Sequence, residues 1–285
     1  WWNNMEKIYK REDYLKKIRG FYKDDIIKVI TGIRRCGKSY FLKSVIEELL
    51  ENGIKEKDII YIELDKKEYK DIKTSKELEK IIDEKIIDND FKYLFIDEVQ
   101  NAKNFESLIN AYREEKNISI FITGSNSYLL SGELVTKLTG RYIEIEMTTL
   151  SFYEYVDMKR FLNKSVNENI YLEFEEYIRN GGFPKSLDYD NYDEKILYTS
   201  SVINQIFEKD IQTSNKIKDK ALFERIEKYI INNFGAVTSI KNIHDYLIEE
   251  AKIKTDRRTI KRYLDILEKA KIIYPCDLFD IKSKL

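Results

Sequence analysis

Gly32-Ile33-Arg34-Arg35-Cys36-Gly37-Lys38-Ser39 carries two glycines, a lysine and a hydroxyl at the spacing G-x-x-x-x-G-K-S. That set of residues suits a polyphosphate. Gly32 and Gly37 let the backbone come close, so several N–H groups converge on one anion. Lys38 reaches the β- and γ-phosphates, and the Ser39 hydroxyl binds Mg²⁺. Arg34 and Arg35 add charge beside the phosphates, and Tyr40, next in line, is counted with the nucleotide contacts. At Cys36 a helix dipole would lower the thiol pKa, although a small residue fitting a tight turn explains it as well. About sixty residues on, the apolar run Tyr93-Leu94-Phe95-Ile96 leads into Asp97-Glu98. An acid at the end of a buried strand holds Mg²⁺ through water, and a glutamate one residue later is placed to polarise an attacking water. Taken alone, the pair also reads as a solvated turn; the phosphate loop upstream weighs against that.

Two further positions join this chemistry. Ser125-Asn126 ends another strand-like run and is placed to bond the γ-phosphate or the water, with a plain polar turn as the competing explanation. Arg141, after Gly140, is a candidate arginine finger, in cis or from a neighbouring subunit, against ordinary surface ion pairing.

The elements that must position these residues alternate. Strand-like runs cover residues 26–31, 58–63, 93–98, 118–123 and 142–146, with amphipathic helical stretches between them. One such helix follows the glycine loop and puts Phe41, Leu42, Val45, Ile46 and Leu49 on a single face. Interleaving of this kind predicts an α/β fold with a five-stranded parallel sheet covered on both sides. Ligands bind at the carboxyl ends of such strands, where the glycine loop, Asp97-Glu98 and Ser125-Asn126 all fall. A whole strand–helix unit between the loop and Asp97 predicts that their two strands are not sequence neighbours. From Leu150 the pattern turns helical. Segments begin at Ser151 and Ile170, the latter stopping at Asn180-Gly181-Gly182-Phe183-Pro184, and a long helix spans 194–211. Residues 212–220 read as a linker. Helices then cover 221–233, 239–250 and 255–271, with Ile272-Ile273-Tyr274 as a strand.

T-G-I-R-R-C-G-K-S, Y-L-F-I-D-E-V-Q, F-I-T-G-S-N-S, L-T-G-R-Y-I-E-I and N-G-G-F-P, in that order, resemble the bacterial and archaeal AAA-type ATPases, themselves similar to origin-recognition and signal-transduction (STAND) NTPases. The resemblance implies a Walker A motif at Gly32–Ser39, a Walker B motif at Asp97-Glu98 and a sensor at Ser125-Asn126. By the same likeness Pro184 packs near the adenine in a helical lid, and Ile8-Tyr9-Lys10-Arg11 lines the base pocket. The organisation it implies is an ATPase core at 1–147, a helical lid at 148–212 and an all-α winged-helix domain at 220–285. Related proteins continue into a further nuclease-like domain, so the chain reads as truncated at its C-terminus. Met5 reads as a native start, with residues 1–4 added ahead of it.

In the last stretch Ile260, Tyr263, Leu264 and Leu267 form an apolar stripe, with Arg258, Lys261, Arg262 and Lys269 opposite. Between Lys252 and Lys271 there are eight basic and three acidic residues, which makes duplex DNA a candidate partner through Arg258, Lys261 and Arg262. A solvated face or a protein-docking domain is the alternative. The whole chain gives no bulk polyelectrolyte argument: 50 Lys and Arg oppose 51 Asp and Glu over 285 residues. Two cysteines and one histidine, His244, build neither a disulfide framework nor a zinc site. No bilayer-length apolar run and no signal-peptide pattern is present, so a cytoplasmic protein is expected.

The expected activity is Mg²⁺-dependent ATP binding and hydrolysis to ADP, coupled to movement of lid and winged helix. The alternative is a nucleotide-gated protein-interaction switch, alone or as a homo-oligomer, with little hydrolysis and no DNA binding. A GTPase is disfavoured, because Asn215-Lys216-Ile217-Lys218-Asp219 is one residue too long for a guanine reader.

Overall fold

The computed structural model describes residues 7–115, 117–124, 138, 140–212 and 217–277. Five strands, β1 Ile27–Gly32, β2 Ile59–Glu63, β3 Lys92–Asp97, β4 Ile118–Thr123 and β5 Tyr142–Met147, form one sheet in the order β2-β3-β4-β1-β5. Every pairing is parallel. β1, β3 and β4 are buried along their whole length, as strands covered on both faces must be. β4 lies between β1 and β3, so the loop strand and the Asp97 strand, which are not neighbours in sequence, are not neighbours in the sheet either.

Alternate residues feed two cores. On one side Val29, Ile62, Leu94, Ile96 and Ile122 pack with Leu78 and Ile82 of α3 (Ser75–Lys85) and Phe105 and Ile109 of α4 (Phe105–Glu114). On the other, Ile30, Phe95, Phe121 and Ile145 pack with Leu15 and Ile18 of α1 (Glu12–Ile18) and Phe41, Leu42, Val45 and Ile46 of α2 (Lys38–Glu51). Buried lysines interrupt the apolar pattern from within, at Lys28 and at Lys92, which opens β3. Lys28 on β1 is fully buried, donating to Ser119 Oγ at 2.7 Å and the Asp24 carbonyl at 2.9 Å, with its ammonium over the Phe121 ring. Burial depresses its pKa to about 7, against the opposing pull of Asp24 and Asp25.

The chain leaves β5 into α5 (Phe152–Phe161), α6 (Ile170–Asn180) and α7 (Tyr192–Gln205). Ser151 and Glu154 form a reciprocal capping box that starts α5. α6 ends at Gly181, whose φ of 74° an L side chain rarely adopts. The helix expected over 194–211 is α-helical to Gln205 and continues as a π-helix over Ile206–Gln212. Two compact units result, Trp1–Asn204 and Gln205–Leu285.

In the second unit, α8 (Lys220–Asn232), α9 (Ile240–Asp245, continued by π-helical turns over Tyr246–Glu250) and α10 (Arg257–Lys269) are capped by Asp219, Ser239 and Asp256. Leu222, Phe223, Ile226, Ile243, Leu247, Ile260, Tyr263 and Leu267 are buried. Ile266 joins the buried stripe of α10, and Leu264 is half-buried at its margin. The strand expected at Ile272-Ile273-Tyr274 is absent. A strand exists only through its hydrogen-bonded neighbour, and no second strand is present in this unit among the described residues. No helix among the described residues is long and apolar enough to cross a membrane.

Candidate functional site

The glycine loop joins the end of β1 to the start of α2. Gly32 has a φ of 148°, and a Cβ there would lie 2.3 Å from the Met147 carbonyl oxygen and 2.9 Å from Cys36 Sγ. Only glycine fits against β5 at this point. Gly37, at φ 105°, occupies the N-cap of α2 and turns the loop's N–H groups toward the helix start. Arg35 takes φ 66°, a third positive-φ position within the loop. The Lys38 side chain is buried and lies back across the loop, donating to the Gly32 carbonyl at 3.1 Å.

Across from the loop, Asp97 ends β3 and is almost wholly buried. Burial pushes its pKa up, opposed by hydrogen bonds from Ser39 and Thr123, while Glu98 and Glu63 add like charge. The sheet therefore brings together the two residues expected to hold a metal: the Ser39 hydroxyl bonds the Asp97 carboxylate. Glu63 is the cross-strand partner of Asp97 on β2. Hard oxygen donors beside several carboxylates suit Mg²⁺, so the residues present fit that ion. Thr123, at the end of β4, donates to Asp97 Oδ1 and accepts the Glu98 N–H at 2.9 Å. It fixes both acidic residues at once.

Arg11 has a role that its sequence position did not announce. Its guanidinium is buried and uses every donor. It bonds both Glu154 carboxylate oxygens at 2.7 Å, the Thr148 carbonyl at 2.7 Å, the Thr149 carbonyl at 3.2 Å and the Cys36 carbonyl at 3.3 Å. One side chain thus ties the N-terminal segment, the glycine loop, the exit from β5 and the capping box of α5. Burial opposes the Glu154 charge, but the bonds and charge of Arg11 outweigh it and hold the carboxyl below its ordinary value. Tyr9 joins the same region, donating to Asp157 at 3.0 Å.

The remaining expected residues divide. Pro184 lies against the loop, its Cγ 3.9 Å from where a Gly37 Cβ would stand. Gly182 packs so tightly on Leu150, whose N–H bonds the Gly182 carbonyl at 2.7 Å, that a Cβ would sit 2.5 Å from the Leu150 oxygen. Tyr40 is 62% exposed, with Lys43 over its ring. Arg34 is half-buried in the loop. The Cys36 side chain turns into the core between β1 and α2, where burial raises its pKa against the pull of Lys38 and Arg11. Only its backbone belongs to the loop. Arg141 is not brought to the site: it precedes Tyr142, the partner of Ile27, at the opposite end of β1 from Gly32. Five residues of strand, roughly 16 Å, separate those ends, which removes a cis finger. Ser125 and Asn126 lie outside the described residues.

Residues 24–156 match the family model of an AAA domain, and 171–283 match that of a domain of unknown function. An uncharacterized protein of Haemophilus influenzae is 36% identical over 280 residues, covering 97% of this chain and 68% of its own length. The chain belongs to the AAA-type P-loop ATPase family. A second family relative, an uncharacterized protein of Methanocaldococcus jannaschii, is 32% identical over 267 residues; the match takes in 90% of this chain but 58% of that protein. Among solved structures, the Aeropyrum pernix ORC1 protein in complex with DNA aligns over 94% of this chain and 85% of its own, with TM-score 0.46 and 11% identity. C. elegans PCH-2 aligns over 92% and 69%, with TM-score 0.40 and 16% identity.

Proposed function

We propose that this AAA-type chain binds ATP with Mg²⁺ and hydrolyses it to ADP. The observation that carries the reading is the Ser39–Asp97 contact, in which a glycine-loop hydroxyl meets a strand-end carboxylate from a non-adjacent strand. Gly32, Gly37 and the N–H groups of the loop cradle the phosphates, Lys38 neutralises them, and Arg34 and Arg35 flank them. Ser39 and Asp97 would hold Mg²⁺, whose positive charge would offset the negative charge developing on the phosphates. Glu98 accepts the proton of the attacking water, with Asn126 as sensor. Pro184 borders the base, and Arg141 serves a neighbouring copy rather than its own site. Through Arg11, a change at the loop reaches Thr148, Thr149 and α5, so nucleotide state moves the helical lid. A cytoplasmic setting goes with this chemistry. Glu98→Gln tests the reading: turnover is lost while ATP stays bound. Unchanged steady-state hydrolysis removes Glu98 as the base, and a parent that binds ATP without turnover is a nucleotide-gated switch.

Duplex DNA is proposed as the partner of the second unit, in a winged-helix mode. On α10, Arg258, Lys261 and Arg262 are exposed opposite the buried Ile260, Tyr263 and Leu267. Affinity that falls steeply with salt and is lost in Arg258→Glu/Arg262→Glu supports this. Absent or salt-independent affinity in the parent makes the unit a protein-docking element.

A further inference from the structure

Glu98 has a backbone φ of 57°, in the left-handed region that non-glycine residues seldom occupy. The turn ends β3 and starts a single 3₁₀ turn, Val99–Asn101. It also brings Gln100 back over the glutamate, and Gln100 Nε2 lies 2.5 Å from Glu98 Oε2. The chemistry of the pair fixes the amide's orientation. A carboxylate accepts only, so the amide nitrogen must face it and the amide oxygen must face away. That oxygen, Gln100 Oε1, is buried and has no hydrogen-bond partner among the described residues. A buried amide oxygen left unpaired calls for a reason at that position, and the contact with Glu98 supplies one.

We propose that Gln100 is the positioning residue for Glu98. The inference rests on the reading of Glu98 as the base for water. Thr123 already holds the Glu98 backbone N–H, which fixes the main chain but leaves the side chain free to rotate. Gln100 removes that freedom by engaging one carboxylate oxygen, Oε2, and leaves Oε1 for the water. The Glu98 carboxylate keeps the Gln100 amide from turning over, because the flipped amide would set oxygen against carboxylate, even though Oε1 is left unpaired. The Gln100 amide engages Glu98, whereas Lys38 donates to the loop carbonyls of Gly32 and Ile33, so the effect of Gln100 belongs to turnover and not to nucleotide affinity.

Gln100→Met keeps the side-chain length and removes the donor. In the intact chain it is expected to lower kcat roughly tenfold, the usual effect of losing one oriented hydrogen bond, with KM and the affinity for a non-hydrolysable ATP analogue within about twofold of the parent. Single-turnover rates of Glu98→Gln and of the double variant are expected to coincide, because a positioning residue has nothing to act through once the base is gone. The inference is overturned if Gln100→Met keeps the parent kcat. It is equally overturned if the loss appears in KM or analogue affinity, or multiplies with that of Glu98→Gln. A parent whose turnover ignores Glu98→Gln overturns the base assignment and this inference together. A Glu98-dependent parent with an unaffected Gln100→Met overturns this inference alone.

Discussion

Arg11 and Glu154, 143 residues apart in sequence, meet in a two-pronged ion pair with both bonds at 2.7 Å. Neither charge is solvated, and each satisfies the other. The remaining Arg11 donors go to the carbonyls of Cys36, Thr148 and Thr149, so no part of the guanidinium is left over.

Removing one member strands the other in a dry site. Arg11→Met is expected to destabilise the first unit by about 3–5 kcal/mol, measured by urea unfolding. A loss under about 1 kcal/mol would mean the pair contributes only what an exposed one does. The sign of the acid dependence follows from Glu154, whose folded pKa is held below its ordinary 4.5. Its contribution is full above that value and lost as pH falls through the folded pKa, so the gap between parent and Arg11→Met narrows in acid.

Lys28 predicts an alkaline effect. Its folded pKa of about 7 lies below the ordinary 10.5, so between those values the unfolded chain binds the extra proton. Stability contributed through this group therefore rises with pH from about 7 to about 10.5, by at most about 1.4 kcal/mol per pH unit. Lys28→Met should flatten that rise. Parallel parent and variant curves across the window would remove Lys28 as its source.

Gly181 and Gly182 are adjacent but constrained differently. Gly181 needs its positive φ and has open space around it, so Gly181→Ala should lose roughly 1 kcal/mol. Gly182→Ala drives a Cβ into the Leu150 carbonyl and should lose more, roughly 2–3 kcal/mol, as an overpacked site does. Calorimetric melting of the two variants side by side gives the order; the reverse order would show that the Leu150 backbone yields easily.

Thr123 touches both acidic residues through one oxygen. Thr123→Val keeps the shape and loses both bonds, and a misplaced acidic pair is expected to lower turnover between roughly ten- and a hundredfold. Steady-state ATP hydrolysis checks this, and parent-like rates would mean the backbone alone fixes Asp97 and Glu98.

What could be read from the chain beforehand follows the range of the interactions. β1, β3 and β4 announce themselves because a strand buried on both faces needs an unbroken apolar run, and the glycine loop because its chemistry is local in sequence. Arg11 was read, through the resemblance, only as part of a base pocket, since its partners are 25 to 143 residues away and three of them are backbone carbonyls. Gln100 sat in plain view beside Glu98, yet its role depends on a left-handed turn that no side-chain pattern reveals. Ile272-Ile273-Tyr274 has the composition of a strand and lacks the neighbour that would make it one.

The register that sets Gly32 opposite Met147 gives the phosphate loop and the departure toward α5 a common footing. Both begin on the same rung of the ladder, with no intervening residue to absorb a shift. In mechanical terms the two are one joint, not two parts in communication. A substitution at Thr148 or Thr149, more than a hundred positions from the glycine motif, is therefore a substitution in that motif's foundation. A search for variants with altered nucleotide response should begin there as readily as at Lys38.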